Sequence, residues 1–478
     1  MYGMNSTAPD ASQVYELVNQ LKLQKALATG DDQRFNGGVG SAYPLKPELL
    51  DKTLISTSFT MDDIQLFKLI SKNPVTNSIT QHNELISYGQ YDNSGFFAEG
   101  GAPPQDSAEF IRRVNRIRYI GVAGGVTHQL SLQQLATVDA DALTLETQLR
   151  TMSLLQKIET ALYHGDSSCS DLQYDGLFAQ IRDKSPKENT IDLHGAPLTE
   201  DILINGATYI RSAPNYGKID HLLCSILTKG DIQRGFGPRV RIDGFNANDG
   251  VLRTEIKAIE TPAGSVDLVG TTMMKPMGRM PTASGGPALA IPGQPTVGAA
   301  STPTIATSNY RDSDAGSYLF AVVACNDNGH SAPVMVGSGA IAVSAGQAVQ
   351  FTVTPAPGNT TKWYDVYKTT PNGGAASLER VARVPNCDPT TKVASTVTAT
   401  ITEFNETMPG TEVALGLQMQ PDALRLDVLA SMLRLAQPVV GTTLPFLLLS
   451  YHAPILLAPK RILKFVNIGR LPRQPLLA

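Results

Sequence analysis

From Ser131 to His164 the chain carries neither glycine nor proline. Its apolar residues recur in steps of three or four, at Leu135, Val138, Ala142, Leu145, Leu149, Met152, Leu155, Ile158 and Leu162. That spacing predicts one amphipathic helix. Ser131 is suited to be its N-cap, Gln134 sits three residues on as in a capping box, and Gly165 follows as a stop. Such a helix would run about 50 Å at about 1.5 Å per residue, whereas globular helices average about 11–12 residues. In a chain of otherwise short elements it reads as a spine.

Ahead of the spine the pattern changes twice. Residues 1–55 show a short helical stretch around Val14–Leu27 and then glycines at 30, 37, 38 and 40. Asp62–Ile70 reads as a short helix that Asn73-Pro74 ends. Asn77–Tyr88 and Phe110–Val126 then read as two extended runs around a Gly- and Pro-rich tip, which predicts a long antiparallel hairpin. Its return strand carries Arg112, Arg113, Arg116 and Arg118. A solvated edge that resists sticking would look like this, and so would an arm that meets acidic neighbours. Phe96 and Phe97 lie near the tip, with Glu99 beside them. If the hairpin projects, those aromatics are exposed contact residues.

After the spine, Thr199–Ser212 predicts a helix, His221–Leu227 a buried strand, Thr228–Gly235 a helix or turn, and Glu255–Leu268 a hairpin around Pro262-Ala263-Gly264. From Met280 to Pro303 the chain has no charge and no periodicity, as in a linker. Residues 304–410 then alternate about seven short β-rich runs with turns, which predicts a β-sandwich. The single tryptophan, Trp363, lies there and reads as packing. Pro421–Ala436 predicts a helix from Leu424, Val428, Met432 and Leu435, and Leu444–Ser450 and Arg461–Ile468 predict strands. The sandwich thus reads as an insertion in a larger α+β domain.

Composition narrows the function more than the fold. A chain of 478 residues suggests about three domains at roughly 150 residues each. Charged residues are 17%, and 39 Lys plus Arg against 43 Asp plus Glu exclude a strongly basic nucleic-acid coat. Cys169, Cys224, Cys325 and Cys387 are far apart, without a CxxC pair, and are expected as reduced thiols, with Cys325 and Cys387, which lie in one segment, the alternative pair that could meet. The apolar run Pro438–Leu457 is broken by Pro445, His452 and Pro454, which favours buried strands over a membrane span. No signal peptide is visible at the N-terminus. No catalytic constellation emerges: His164-Gly165-Asp166 with Ser167 and Ser168 lacks a nucleophile elbow, and GDIQRGFGPRVR lacks a phosphate-loop ending. No cofactor, metal or enzymatic role is expected. Residues 421–478 carry seven Lys or Arg against two Asp, a basic tail that could meet acidic neighbours or nucleic acid.

Taken in order, an N-terminal arm, a hairpin with the tip SGFFAEG, the strand FIRRVNRIRYIG, a spine ending YHGD and a closing run LPFLLLSYHAPILLAPKRILKFVNIG resemble the major capsid proteins of tailed bacteriophages, with the Hong Kong 97-type shell fold. The inserted segment resembles immunoglobulin-like or fibronectin type III modules. The resemblance implies an arm with short helices at 1–76, an extended loop at 77–126, and a spine and peripheral domain at 127–190. It implies an axial domain at 191–280, a linker at 281–303, an outward sandwich at 304–412, and a return to the axial and peripheral domains at 413–478. It implies a self-assembling icosahedral shell of hexamers and pentamers around double-stranded DNA, in the virion and built in the host cytoplasm. Scaffolding, portal and cement or decoration proteins are the implied partners; DNA contact would be weak and non-specific, and no membrane is involved. Phe96, Phe97, Glu99, Arg112, Arg113, Arg116 and Arg118 are the expected inter-subunit contacts. A carbohydrate-active or carbohydrate-binding secreted protein and a cellular nanocompartment shell are the alternatives.

Overall fold

The computed structural model describes residues 61–89, 95–132, 141–236, 256–275, 290–439 and 441–471. The helix expected at Val14–Leu27 and the 281–289 part of the linker fall outside them. The described residues fall into two units: 127–132 and 141–145 belong to one and the remainder to the other. The packing below is that of the second.

The spine is a helix over Ala142–His164. Ser131 does not cap it. Ser131 instead closes a separate short helix, His128–Ser131, where its Oγ donates to the His128 carbonyl. Leu135 and Val138 lie outside the described residues. Burial concentrates in the second half, at Leu154, Leu155, Ile158, Leu162 and Tyr163, while Leu149 of the same stripe is 51% exposed. Gly165 follows the helix where a side chain would not fit: a Cβ there would lie 2.5 Å from the Tyr174 carbonyl oxygen and 2.8 Å from that of Ala161.

Beyond the spine, a six-stranded mixed sheet runs Thr190–Asp192, Leu463–Ile468, Glu412–Leu417, His221–Ser225, Gly264–Thr271 and Ala258–Thr261. The helix Glu200–Arg211 lays Leu203, Ala207 and Ile210 into a core with Leu222, Val266, Leu463 and Phe465. Gly206 permits that approach, since a Cβ there would meet Leu463 Cδ2 at 2.6 Å.

A four-stranded sheet orders Ser71–Pro74, Leu424–Ala436, Thr443–Leu456 and Arg118–Thr127. Two expectations are corrected here. Asn73 and Pro74 do not end a helix; they form an edge strand parallel to Arg425–Val428, and the helix before them is only Leu66–Leu69. Proline is tolerated at such an edge because it is not asked to donate to an inner ladder. The segment read as a helix from Pro421 to Ala436 is a strand. Its register shifts between Val428 and Ala430 and again between Ala430 and Leu433. Each shift slips the period-2 alternation, so the apolar residues fall at helix-like intervals. The apolar run read against a membrane span is the long strand Thr443–Leu456, and no described helix is long and apolar enough to cross a membrane.

From residue 290 to 410 the chain forms antiparallel sheets. One carries Gly329–His330, Phe320–Asn326, Trp363–Lys368 and Glu379–Pro385; another carries Ala399–Glu403, Val349–Thr354 and Thr296–Val297. Phe320, Val322, Val349, Phe351, Tyr364 and Ile401 share one core between them. Thr296–Val297 was expected in the linker but pairs with Val353 and Thr354, so ordered pairing begins earlier than residue 304. The first residues of the expected sandwich, 304–308, contribute an isolated bridge at Thr304.

This segment is tied to the sheets beneath it. Cys169 and Cys387 form a disulfide, with Cα atoms 5.6 Å apart, which corrects the expectation of four reduced thiols; Cys224 and Cys325 are free and buried. Sequence spacing could not show a pair 218 residues apart. Trp363 is packing, as expected, but against Cys169, Tyr367 and Leu378 at the seam rather than between the sheets. Its Nε1 donates to Ser168 Oγ at 3.1 Å. Lys392 Nζ donates to the Ser167 and Ser168 carbonyls at 2.9 and 2.8 Å.

Candidate assembly surface

The hairpin strands are Ile79–Ser87 and Glu109–Arg116, antiparallel and in a sheet of their own. Alternation then sets two faces. On one, Thr80, His82 and Glu84 with Arg113 and Asn115 are half-covered. On the other, Ile79, Gln81, Asn83 and Leu85 stand opposite Arg116, Val114, Arg112 and Phe110, and all eight are exposed. Phe110 is 65% and Val114 55% exposed. An isolated two-stranded ribbon is at best marginally stable in water, and exposed apolar faces of this kind mark contact surfaces.

The arginines do not act together. The return run expected over Phe110–Val126 breaks at buried Ile117, and Arg118 begins a strand of the four-stranded sheet. Arg118 reaches Asp171 at 3.3 Å, and Arg113 pairs with Glu84 at 3.1 Å on the half-covered face. Arg112 and Arg116 sit on the open face. At the tip Phe96 is 91% and Phe97 59% exposed, and Glu99 is exposed. Sequence reasoning named the arginines and the tip but missed Ile79, Leu85, Phe110 and Val114. The signal for two of them was present in the alternation of ITQHNELI.

Near the tip end of the first hairpin strand Lys460 Nζ donates to the Ile86 carbonyl at 3.4 Å, and between the two strands Asn115 Nδ2 lies 3.3 Å from His82 Nδ1. Burial first, then Lys184 and Arg425, hold His82 below the ordinary histidine range. Just before the edge strand, Glu159 of the spine accepts the backbone N–H groups of Gln65, Leu66 and Phe67 at 3.2, 2.8 and 3.0 Å. Its carboxylate supplies acceptors for donors that a helix N-terminus leaves unpaired. Burial nonetheless raises its pKa.

The segment after the spine holds structure rather than chemistry. His164 Nε2 meets the Met273 carbonyl at 3.0 Å and its ring stacks on Phe178. Burial depresses its pKa to about 4, leaving it neutral. Asp166 Oδ1 accepts the Ser168 N–H at 2.9 Å, which shapes the turn carrying Cys169. Among the described residues no group of three or more His, Cys, Asp or Glu could hold a metal ion. Three of the basic residues near the C-terminus pair within the chain: Arg425 with Asp427, Arg461 with Asp422 and Arg470 with Asp231. Arg473 lies outside the described residues.

No family model matches the sequence. The chain is similar to a putative major capsid protein of Enterococcus phage phiEF24C, 23% identical over 446 residues, covering 89% of this chain and 90% of that one. It is also similar to the major capsid proteins of Staphylococcus phages S25-3 and K, each 22% identical over 486 residues, 96% of this chain and 97% of theirs. Among solved structures, Gordonia phage Cozz matches with a TM-score of 0.43 at 11% identity, over 92% of this chain and 98% of that one. The capsid of a native GTA particle matches with 0.42 at 9%, over 92% and 100%.

Proposed function

We infer that this chain is a structural major capsid protein, the repeating subunit of a bacteriophage head. The observation that carries the reading is the open face of the hairpin, where Ile79, Leu85, Phe110 and Val114 stand uncovered on a ribbon too thin to hold itself together. A second subunit is the natural cover for such a face, and near end-to-end likeness to phage proteins named as major capsid proteins makes that partner another copy. In this reading residues 77–126 lie over an adjacent subunit. Phe110 and Val114 bury there, Arg112 and Arg116 meet acidic groups, and Phe96, Phe97 and Glu99 reach furthest. Residues 127–190 form the peripheral domain, and 191–280 with parts of 413–478 the axial domain. The segment around 304–412 is an immunoglobulin-like insertion on the outer surface, starting near residue 290. Many modest contacts repeated over a closed icosahedral shell give stability through multivalency, around double-stranded DNA held without tight grip.

Sedimentation and negative-stain imaging of the full chain test this, alone and with the other head proteins of its phage. Hollow shells, or rings of five or six subunits, are expected. A chain that remains monomeric under every such condition overturns the reading.

A further inference from the structure

Between the two sheets of the 290–410 segment lies a buried polar cluster. Lys368 ends the strand Trp363–Lys368, and Glu403 ends Ala399–Glu403 in the facing sheet, with Asn405 two residues on. Lys368 is 0% exposed, Asn405 2% and Glu403 6%. Lys368 Nζ stands 2.7 Å from Asn405 Oδ1 and 2.8 Å from Glu403 Oε1. Glu403 also accepts the Asn405 backbone N–H at 2.9 Å and the Tyr310 hydroxyl at 2.5 Å. The Asn405 amide nitrogen donates to Asp314 Oδ2 at 3.1 Å, and the rings of Tyr310 and Tyr318 flank Nζ at 5.0 and 5.7 Å. Asn405 holds φ at +62°, a left-handed conformation that asparagine adopts more readily than most residues.

We propose that Lys368 and Asn405 join in an intramolecular isopeptide bond that staples the two sheets, with Glu403 as the proton carrier. Each requirement of the chemistry has a residue in place. A lysine becomes a nucleophile when it loses its proton, which desolvation favours; burial lowers the Lys368 pKa, against the opposing pull of Glu403. Glu403 lies within hydrogen-bond reach of Nζ and so can take that proton. The lone pair of the neutral amine attacks Asn405 Cγ and a new C–N bond forms. The bond from Cγ to Nδ2 breaks as Glu403 passes the lysine's proton to Nδ2, which leaves as ammonia, and Glu403 takes the second proton from the attacking nitrogen. Amine plus primary amide gives secondary amide plus ammonia, with no oxidant, reductant or metal. Holding the partners in contact replaces a bimolecular encounter, and well-oriented intramolecular reactions reach effective molarities of about 10⁵ M or more. The product also removes a buried cation, whose desolvation is costly even when paired.

The test is the intact mass of the reduced, denatured full chain. Ammonia loss predicts a mass about 17 Da below that of the sequence after any terminal processing, a covalent change visible without any variant. Tryptic mapping should give a branched peptide joining the Lys368 and Asn405 segments, with no cleavage after Lys368. Glu403→Gln, close in shape, should restore the full mass and the cleavage. Two results overturn the proposal: an unmodified mass with cleavage after Lys368, or a 17 Da loss confined to a linear peptide in which Asn405 has closed on its own backbone.

Discussion

Replacing Glu159 should unfasten the segment that leads into the hairpin. Its Oε1 accepts from Gln65 and Leu66, and its Oε2 from Phe67. The Leu66 donor is buried and the other two are partly so. In Glu159→Ala the buried donor loses its partner outright, at about 1–3 kcal/mol, and the other two exchange a charged acceptor for water at about 1 kcal/mol each. The expected loss is about 3–5 kcal/mol, within the range of severe single substitutions. Glu159→Gln can keep its carbonyl oxygen toward Gln65 and Leu66 and loses the Phe67 bond, so it should cost about 1–2 kcal/mol. Urea unfolding of the unassembled chain, followed by circular dichroism, measures both. Hydrogen exchange at residues 65–67 should accelerate more in the alanine variant. The pH dependence has a definite sign. Burial raises the folded pKa of Glu159, so the folded chain binds more protons through the window above 4.5, the ordinary glutamate value. The wild type should therefore lose stability relative to Glu159→Gln as pH rises through that window. An alanine variant within about 0.5 kcal/mol of wild type, with unchanged exchange at 65–67, would refute the cap, since a satisfied buried donor cannot be given up so cheaply.

Other consequences can be measured separately. His452 is 1% exposed, and burial, then Lys72, depresses its pKa from 6.5 to about 4. The unfolded chain takes up a proton there that the folded chain refuses, so about 3 kcal/mol of stability should be lost as pH falls from 6.5 to 4. Thermal melts across that range should show a shallower slope in His452→Gln; an unchanged slope would place the acid lability elsewhere. Phe110→Asp with Val114→Asp should abolish rings and shells while leaving the circular dichroism spectrum intact, because both side chains are exposed in the single chain; undiminished assembly would remove the open face from the interface. Non-reducing peptide mapping should recover the Cys169 and Cys387 peptides joined. By loop-closure entropy, reduction should cost up to about 5 kcal/mol for a loop of this length, read as a shift in unfolding midpoint. Gly165→Ala should destabilise by more than about 1 kcal/mol, since its Cβ would meet two backbone carbonyls that cannot swing aside.

What the sequence alone settled is whatever is local and periodic. The uninterrupted helical stripe up to His164, the helix Glu200–Arg211, the turn at Pro262–Gly264 and the alternation of the hairpin all arise within a few residues of one another, where backbone preference and side-chain period agree. Tertiary structure decided the rest. Leu424–Ala436 is a strand because partners on both sides take its backbone hydrogen bonds, and the bulges that fit it to Thr443–Leu456 are what disguise its period. The cysteines pair across 218 residues because two separate segments of the chain dock there. The arginines of the return run part company at Ile117, where the chain leaves one sheet for another, and no one-dimensional pattern records such a change. Glu159 and Lys368 look like ordinary helix and strand charges in one dimension. Only folding removes the water around them, and it is that removal which turns the first into a cap and the second into a candidate nucleophile.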